Sequence, residues 1–196
     1  LDTPLEIWQD HDNIERRVFN IALLESLHQR HVHDLMVLLY CNYPIAKRYI
    51  NDNINTTRNE QYHEHAWATP LHYAVYTERE SIVDILLEFP NIDVGIADRN
   101  FDENALWFSL KNHRDLKIFR KLINHESCNA NVLNHPCARI ANDRLEDESW
   151  ESDSFLATGS TCLDVCTRLI GEKEQQLYLN EEDILEARKL IIDGGG

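Results

Sequence analysis

Four residues between positions 125 and 137 carry side chains that bind zinc: His125, Cys128, His135 and Cys137. Imidazole nitrogen and thiolate sulfur are the usual ligands of a closed tetrahedral site. The types suit zinc, but His-x-x-Cys followed by His-x-Cys matches neither pair pattern of the common structural sites. The segment also reads as a polar insert that happens to hold these types. On that reading no metal and no cofactor is expected. His31 and His33, and His63 and His65, stand two apart, and on a helix such pairs do not share a face. They read as solvated histidines.

A thiol nucleophile needs a base within reach and a group to orient that base. Cysteine, histidine and aspartate are all present, yet no local motif brings them together. A phosphate-cradling glycine loop is also missing, since apart from the terminal three the glycines are Gly95, Gly159 and Gly171. No catalytic residue is assigned, and the chain is not expected to be an enzyme.

Charge narrows the partners. The 196 residues include 34 acidic and 19 basic side chains, a net charge of -15. A field of that sign repels phosphate and anionic lipid, which argues against nucleic acid and membrane surfaces. It suits a basic patch on a partner protein, and it also keeps a protein soluble. No apolar run reaches the ~18 residues of a membrane span, so direct membrane insertion is not expected. The five cysteines, Cys41, Cys128, Cys137, Cys162 and Cys166, are odd in number and irregular in spacing. That is no disulfide framework, and it points to a reducing, cytoplasmic setting. Asn55-Thr56-Thr57 fits a glycosylation acceptor, but nothing else in the chain reads as secreted.

The elements that position these residues show up as a repeat. Thr69-Pro70-Leu71-His72-Tyr73-Ala74 reads as the start of a short helix, with Thr69 as its cap and Pro70 where a missing N–H costs nothing. Ile82, Val83, Leu86 and Leu87 form one apolar stripe on a second helix. Ser81 and Asp84 have capping-box spacing at its start, and Pro90 stops it. Thr-Pro-Leu-His-x-Ala followed by Ile-Val-x-x-Leu-Leu closely resembles the ankyrin repeat, a helix–turn–helix with a projecting hairpin loop and about 33 residues per unit.

Weaker copies start at Ile21, Asn104 and Thr161, so the steps between the four starts are 48, 35 and 57 residues. Asn104-Ala105-Leu106-Trp107-Phe108-Ser109 leads to a second helix with Ile118, Phe119, Leu122 and Ile123. Thr161-Cys162-Leu163-Asp164-Val165-Cys166 leads to a helix from Glu186 that ends at Gly194, placed for a left-handed stop. Ile21-Ala22-Leu23-Leu24 leads to one through Leu35, Met36, Leu38 and Leu39. Trp107 and Asp164 stand where His72 stands in the best-matching unit. Trp107 can fill space, and Asp164 can close a capping box with Thr161. Asn104 replaces the capping threonine, and Cys166 acts as a small hydrophobe in place of Ala74.

The expected fold is therefore all-α: an ankyrin-repeat solenoid of about four helix–turn–helix units with long irregular inserts. Units are placed near 14–50, 67–98, 99–125 and 159–196, with residues 126–158 as an irregular, projecting insert. Residues 1–13 read as a lead-in, and both chain ends, Leu1 and Gly194-Gly195-Gly196, look like cuts in a longer protein. In helix Glu186–Gly194 and the turn before it, Ile184, Leu185, Leu190, Ile191 and Ile192 are too many for one buried stripe. A contiguous apolar patch at the C-terminus and weak self-association follow as expectations.

The resemblance implies a protein-interaction module or adaptor that holds a partner on its concave face. Carried over by position, the contact candidates are His65, Trp67, Tyr76, Phe101, Glu103, Lys111 and Arg168. Trp150, inside the acidic run Glu146–Asp153, is a further candidate, as an anchor docking on a basic groove. The Leu-Trp variant of the helix motif is similar to repeats in rabankyrin-type endosomal adaptors, which would imply a small GTPase as partner. The alternative is a non-catalytic regulatory segment that orients a catalytic domain elsewhere in a larger enzyme.

Overall fold

The computed structural model describes residues 5–28, 32–52, 54, 69–98, 102–112, 116–136, 161–171 and 181–196, without the side chains of 5–13, 111, 112, 165 and 168–171. Two apolar residues per helical turn are enough to bury one stripe but not to make a core alone, so the helices pair and the pairs stack. The first pair is α1 (Leu5–His28) and α2 (Val32–Cys41), with the short α3 (Tyr43–Tyr49) against both. α4 (Pro70–Tyr76) folds back on α5 (Glu80–Glu88), and α6 (Ala105–Asn112) on α7 (Lys117–Ile123). After α8 (Ala130–Leu133) comes the last pair, α9 (Cys162–Gly171) and α10 (Glu181–Asp193).

First helices touch in the order α1, α4, α6, α9, and second helices in the order α2, α5, α7, α10. This is a two-layer, all-α stack with one continuous apolar core. An isolated antiparallel bridge between Ala97 and Asn104, at the base of a hairpin loop, is the β feature among the described residues.

The caps explain where helices begin. Thr69 Oγ1 accepts from the His72 amide, and Pro70 fills the first turn of α4. Asn104 Oδ1 accepts from the Trp107 amide at 2.9 Å. Thr161 and Asp164 close a reciprocal capping box at α9, with Thr161 N to Asp164 Oδ2 at 2.9 Å and Asp164 N to Thr161 Oγ1 at 3.3 Å. The Ser81–Asp84 box does not form. α5 starts earlier, with Arg79 at its N-cap and no side-chain bond there, and Asp84 is taken instead by Lys121.

The ends are equally specific. At the C-terminus the left-handed residue is Gly195, φ 93°, one position later than Gly194. Gly195 N bonds Ile192 O and Gly196 N bonds Ile191 O, so α10 keeps one more residue before the paired-bond stop closes. α4 ends in the same way on a residue with a side chain. Glu78 has φ 53°, Arg79 N reaches Ala74 O at 3.1 Å, and Glu78 N reaches Val75 O at 2.9 Å. A left-handed conformation costs an L-residue about 1–2 kcal/mol, and glycine gives back about half of that in the unfolded chain. Glu78→Gly is therefore expected to raise stability by up to ~1 kcal/mol. A urea melt with a lower midpoint than the parent would contradict this.

Two further expectations need correction. Residues 126–136 do not project as an irregular insert. Asn129 caps α8 through the Asn131 and Val132 amides, and Val132 and Leu133 are buried. The reason is that two glycines leave slots for them. A Cβ at Gly95 would lie 2.6 Å from Val132 Cγ2, and one at Gly194 would lie 2.9 Å from Leu133 Cδ1. Residues 137–160 lie outside the described part. The contiguous C-terminal patch is not found either. Ile184 and Ile191 are buried and Leu190 is partly buried, because α10 packs on both α9 and α7. Leu185 and Ile192 alone of the five stay exposed.

Candidate protein-binding surface

A binding face on a stack of short helices is only as fixed as the ties between units. One such tie is made by His72, which reaches 31 residues along the chain. Its Nε2 lies 2.8 Å from Glu103 O, and its Nδ1 lies 2.7 Å from Thr69 Oγ1. A carbonyl only accepts, so the ring donates from Nε2 and takes the Thr69 hydroxyl on Nδ1. Glu103 O also accepts from the Asp98 amide at 2.9 Å, closing the hairpin base. One ring thus holds α4 to the next unit's loop.

The following junction is built differently. Trp107 occupies the position of His72 and is buried as a space-filler. The tie is made instead by the cap residue: Asn104 Nδ2 donates to Val132 O at 2.9 Å. His135 Nε2 adds a bond to Asp102 O at 3.0 Å, and the Ser127 hydroxyl accepts from the Val94 amide at 3.0 Å. At the N-terminal junction, Arg79 donates to Leu27 O and His28 O, the free carbonyls at the end of α1. The ring of His28 meets Tyr73 Oη at 2.8 Å.

The second helices are linked by charge. Lys121 reaches Asp84 at 2.6 Å and Glu80 at 2.8 Å. Burial opposes its charge, but the hydrogen bonds to Asp84 and Glu80 outweigh this and raise its pKa. Arg120 binds Glu186 through two bonds of 2.7 Å, joining α7 to α10. The Arg120 hydrogen bonds hold the Glu186 carboxyl below its ordinary range. A lowered carboxylate pKa favours the folded state above the unfolded pKa, so this link fades as acid titrates Glu186.

On this frame Tyr76 is the contact candidate that the structure leaves exposed. It is 38% exposed at the end of α4, whose other residues are buried. Its ring stands 6.0 Å from that of Phe108, tilted by 59°. Phe108 also meets His72 edge-on at 6.3 Å, so the tyrosine is held by the same junction that orders the loops. Glu103, in contrast, is no contact residue. It is 4% exposed, because its backbone closes the hairpin and takes the His72 bond. Lys111 lies in α6 and Arg168 in α9, with their side chains outside the described part. His65, Trp67, Phe101 and Trp150 also lie outside it.

Sequence reading overlooked a second set of exposed apolar residues. Met36, Val37 and Tyr40 on α2 face solvent, and Tyr40 and Tyr43 set their rings 5.9 and 5.6 Å from Phe89. Of the apolar residues that mark this helix in the sequence, Leu35 and Leu39 are buried and Met36 is exposed. Residues 35–41 of α2 are apolar without a break, so periodicity alone does not say which side is covered.

The chemistry-bearing side chains are dispersed. His125 uses Nε2 on Leu87 O at 3.1 Å and Nδ1 on Ser127 Oγ at 2.8 Å. His135 faces Asp102, and Cys128 packs against the core. Cys137 lies outside the described residues, among which no three His, Cys, Asp or Glu are grouped as metal ligands. Burial pushes the Cys128 thiol up to about 11 and the Cys166 thiol to about 12, so neither is a thiolate at neutral pH.

No helix among the described residues is long and apolar enough to cross a membrane. No solved structure matches the chain. The family model of the ankyrin repeat matches residues 67–99, the segment with the Thr69–Ala74 motif, α4, α5 and the first arm of the hairpin that His72 fastens: this part of the chain is an ankyrin repeat.

Proposed function

We propose that this chain is a non-catalytic adaptor that holds a partner protein on the face made by its first helices and hairpin loops. The ankyrin repeat is a protein-interaction unit, and the net charge of -15 suits a partner with a basic surface. The observation that carries the reading is Tyr76. An exposed aromatic already ordered against Phe108 binds without a large loss of side-chain freedom, which is the property of an interface anchor. Lys111 and Arg168 sit at matching places on α6 and α9 and complete the proposed face, with the loop residues His65, Trp67 and Phe101.

Cys41, Cys128 and Cys166 are free thiols, which supports a cytoplasmic setting. An endosomal role rests on the Leu106-Trp107 variant alone. Both residues are buried core in this fold, so they are explained by packing and lend nothing to a GTPase partner.

The test is capture of a partner by the full chain, followed by titration with Tyr76→Ala. Removing an interface anchor costs ~1–2 kcal/mol or more, so affinity should fall by about tenfold or more. Binding should also weaken with salt if charge steers it. A partner held equally well by Tyr76→Ala would place the interface elsewhere.

A further inference from the structure

α1 is apolar on two sides. Phe19, Leu23 and Leu27 are buried against the stack. On the other side Ile14, Val18 and Ile21 follow one another at spacings of four and three residues and are 59%, 62% and 54% exposed. That spacing places them in one line along the helix, the arrangement of a helix–helix seam. They are the most exposed large apolar residues among those described.

Charge says what can cover this line. The chain as a whole is strongly acidic, yet residues 14–28 hold two acids, Glu15 and Glu25, and two bases, Arg16 and Arg17. This is locally neutral ground on a molecule that otherwise repels its own kind. Glu15 and Arg16 are turned to the flank, where they meet Arg48 at 3.3 Å and Asp52 at 2.6 Å. Arg17 and Glu25 are exposed beside the apolar line. They lie four residues before and four after Ile21. If two α1 helices cross antiparallel at Ile21, each Arg17 falls next to Glu25 of the other copy, with Val18 and Ile21 of both chains between. The pattern is self-complementary in one orientation, which is what a two-fold interface requires.

We propose that the outward face of α1 is an interface between two copies of this chain, the helices packed antiparallel about Ile21 and framed by reciprocal Arg17–Glu25 pairs. The contact closes on itself, so it gives a dimer and not a filament. It leaves Tyr76 on α4 open, and the dimer presents two partner-binding faces.

The experiment is sedimentation equilibrium on the full chain across a wide concentration range. The expected result is a monomer–dimer equilibrium in which the mass doubles. Val18→Glu should abolish the dimer while leaving the helical circular dichroism unchanged, since Val18 is 62% exposed. Arg17→Glu should weaken it several-fold, and adding Glu25→Arg to that variant should restore it. A chain that stays monomeric, or a dimer indifferent to Val18→Glu, overturns the proposal. A dimer lost with Val18→Glu but not rescued by the charge swap overturns the antiparallel register.

Discussion

Replacing Trp107 with alanine is expected to remove about 3–5 kcal/mol of stability, the usual loss for a buried large aromatic. That is a large share of the 5–15 kcal/mol by which a typical domain is stable at all. Trp107 is 2% exposed in the first turn of α6, a helix that lies between the α4–α5 pair and the α9–α10 pair. The hole it leaves cannot close freely, because the elements around it are fixed in place by other ties: His72 to Glu103 on one side and Asn104 to Val132 on the other. Urea denaturation followed by helical circular dichroism measures the loss directly. Trp107→His is equally informative. It restores the residue found at position 72, but at this junction Asn104 already makes the inter-unit bond, so histidine should recover little. A change within the ~0.5 kcal/mol of ordinary surface substitutions would mean that Trp107 does not fill the core as described.

The second large effect concerns the segment after α7. Leu133→Ala should cost ~2–5 kcal/mol, as buried leucines do. Its effect should spread to the C-terminus. Leu133 rests on Gly194, and Asn134 Nδ2 donates to Gly195 O at 3.3 Å, so α8 braces the end of α10. Hydrogen exchange should therefore quicken in residues 184–192 as well as around the mutation. If residues 126–136 were a projecting insert, the same substitution would be nearly silent and α10 would keep its protection.

Both cases mark the line between local and long-range information. Thr69-Pro70-Leu71-His72 specifies a helix start through contacts within a single turn, and the caps at Asn104 and Thr161 form for the same reason. The apolar stripe of α5 is likewise a matter of spacing along one helix. These features are legible in sequence because every partner lies within four residues. From them follow the helix pairs, the all-α stack and the ankyrin repeat at 67–99.

The tertiary structure decided whatever depends on a neighbour far along the chain. Glu103 reads as an exposed loop acid until His72, 31 residues away, takes its carbonyl. Asp84 reads as half of a capping box until Lys121 claims it from 37 residues away. Val132 and Leu133 read as stray apolar residues in a polar insert, and only the bare Cα atoms of Gly95 and Gly194 make room for them. The apolar residues of α1 and α10 show the same limit. Counting them reveals that each helix has more than one buried stripe can use, but not which ones are covered. α7 and α9 cover Ile184 and Ile191 of α10, while nothing among the described residues covers Ile14, Val18 and Ile21 of α1. Helix periodicity is fixed by backbone geometry within one segment; burial is fixed by which other segment arrives against it, and that is a property of the folded chain alone.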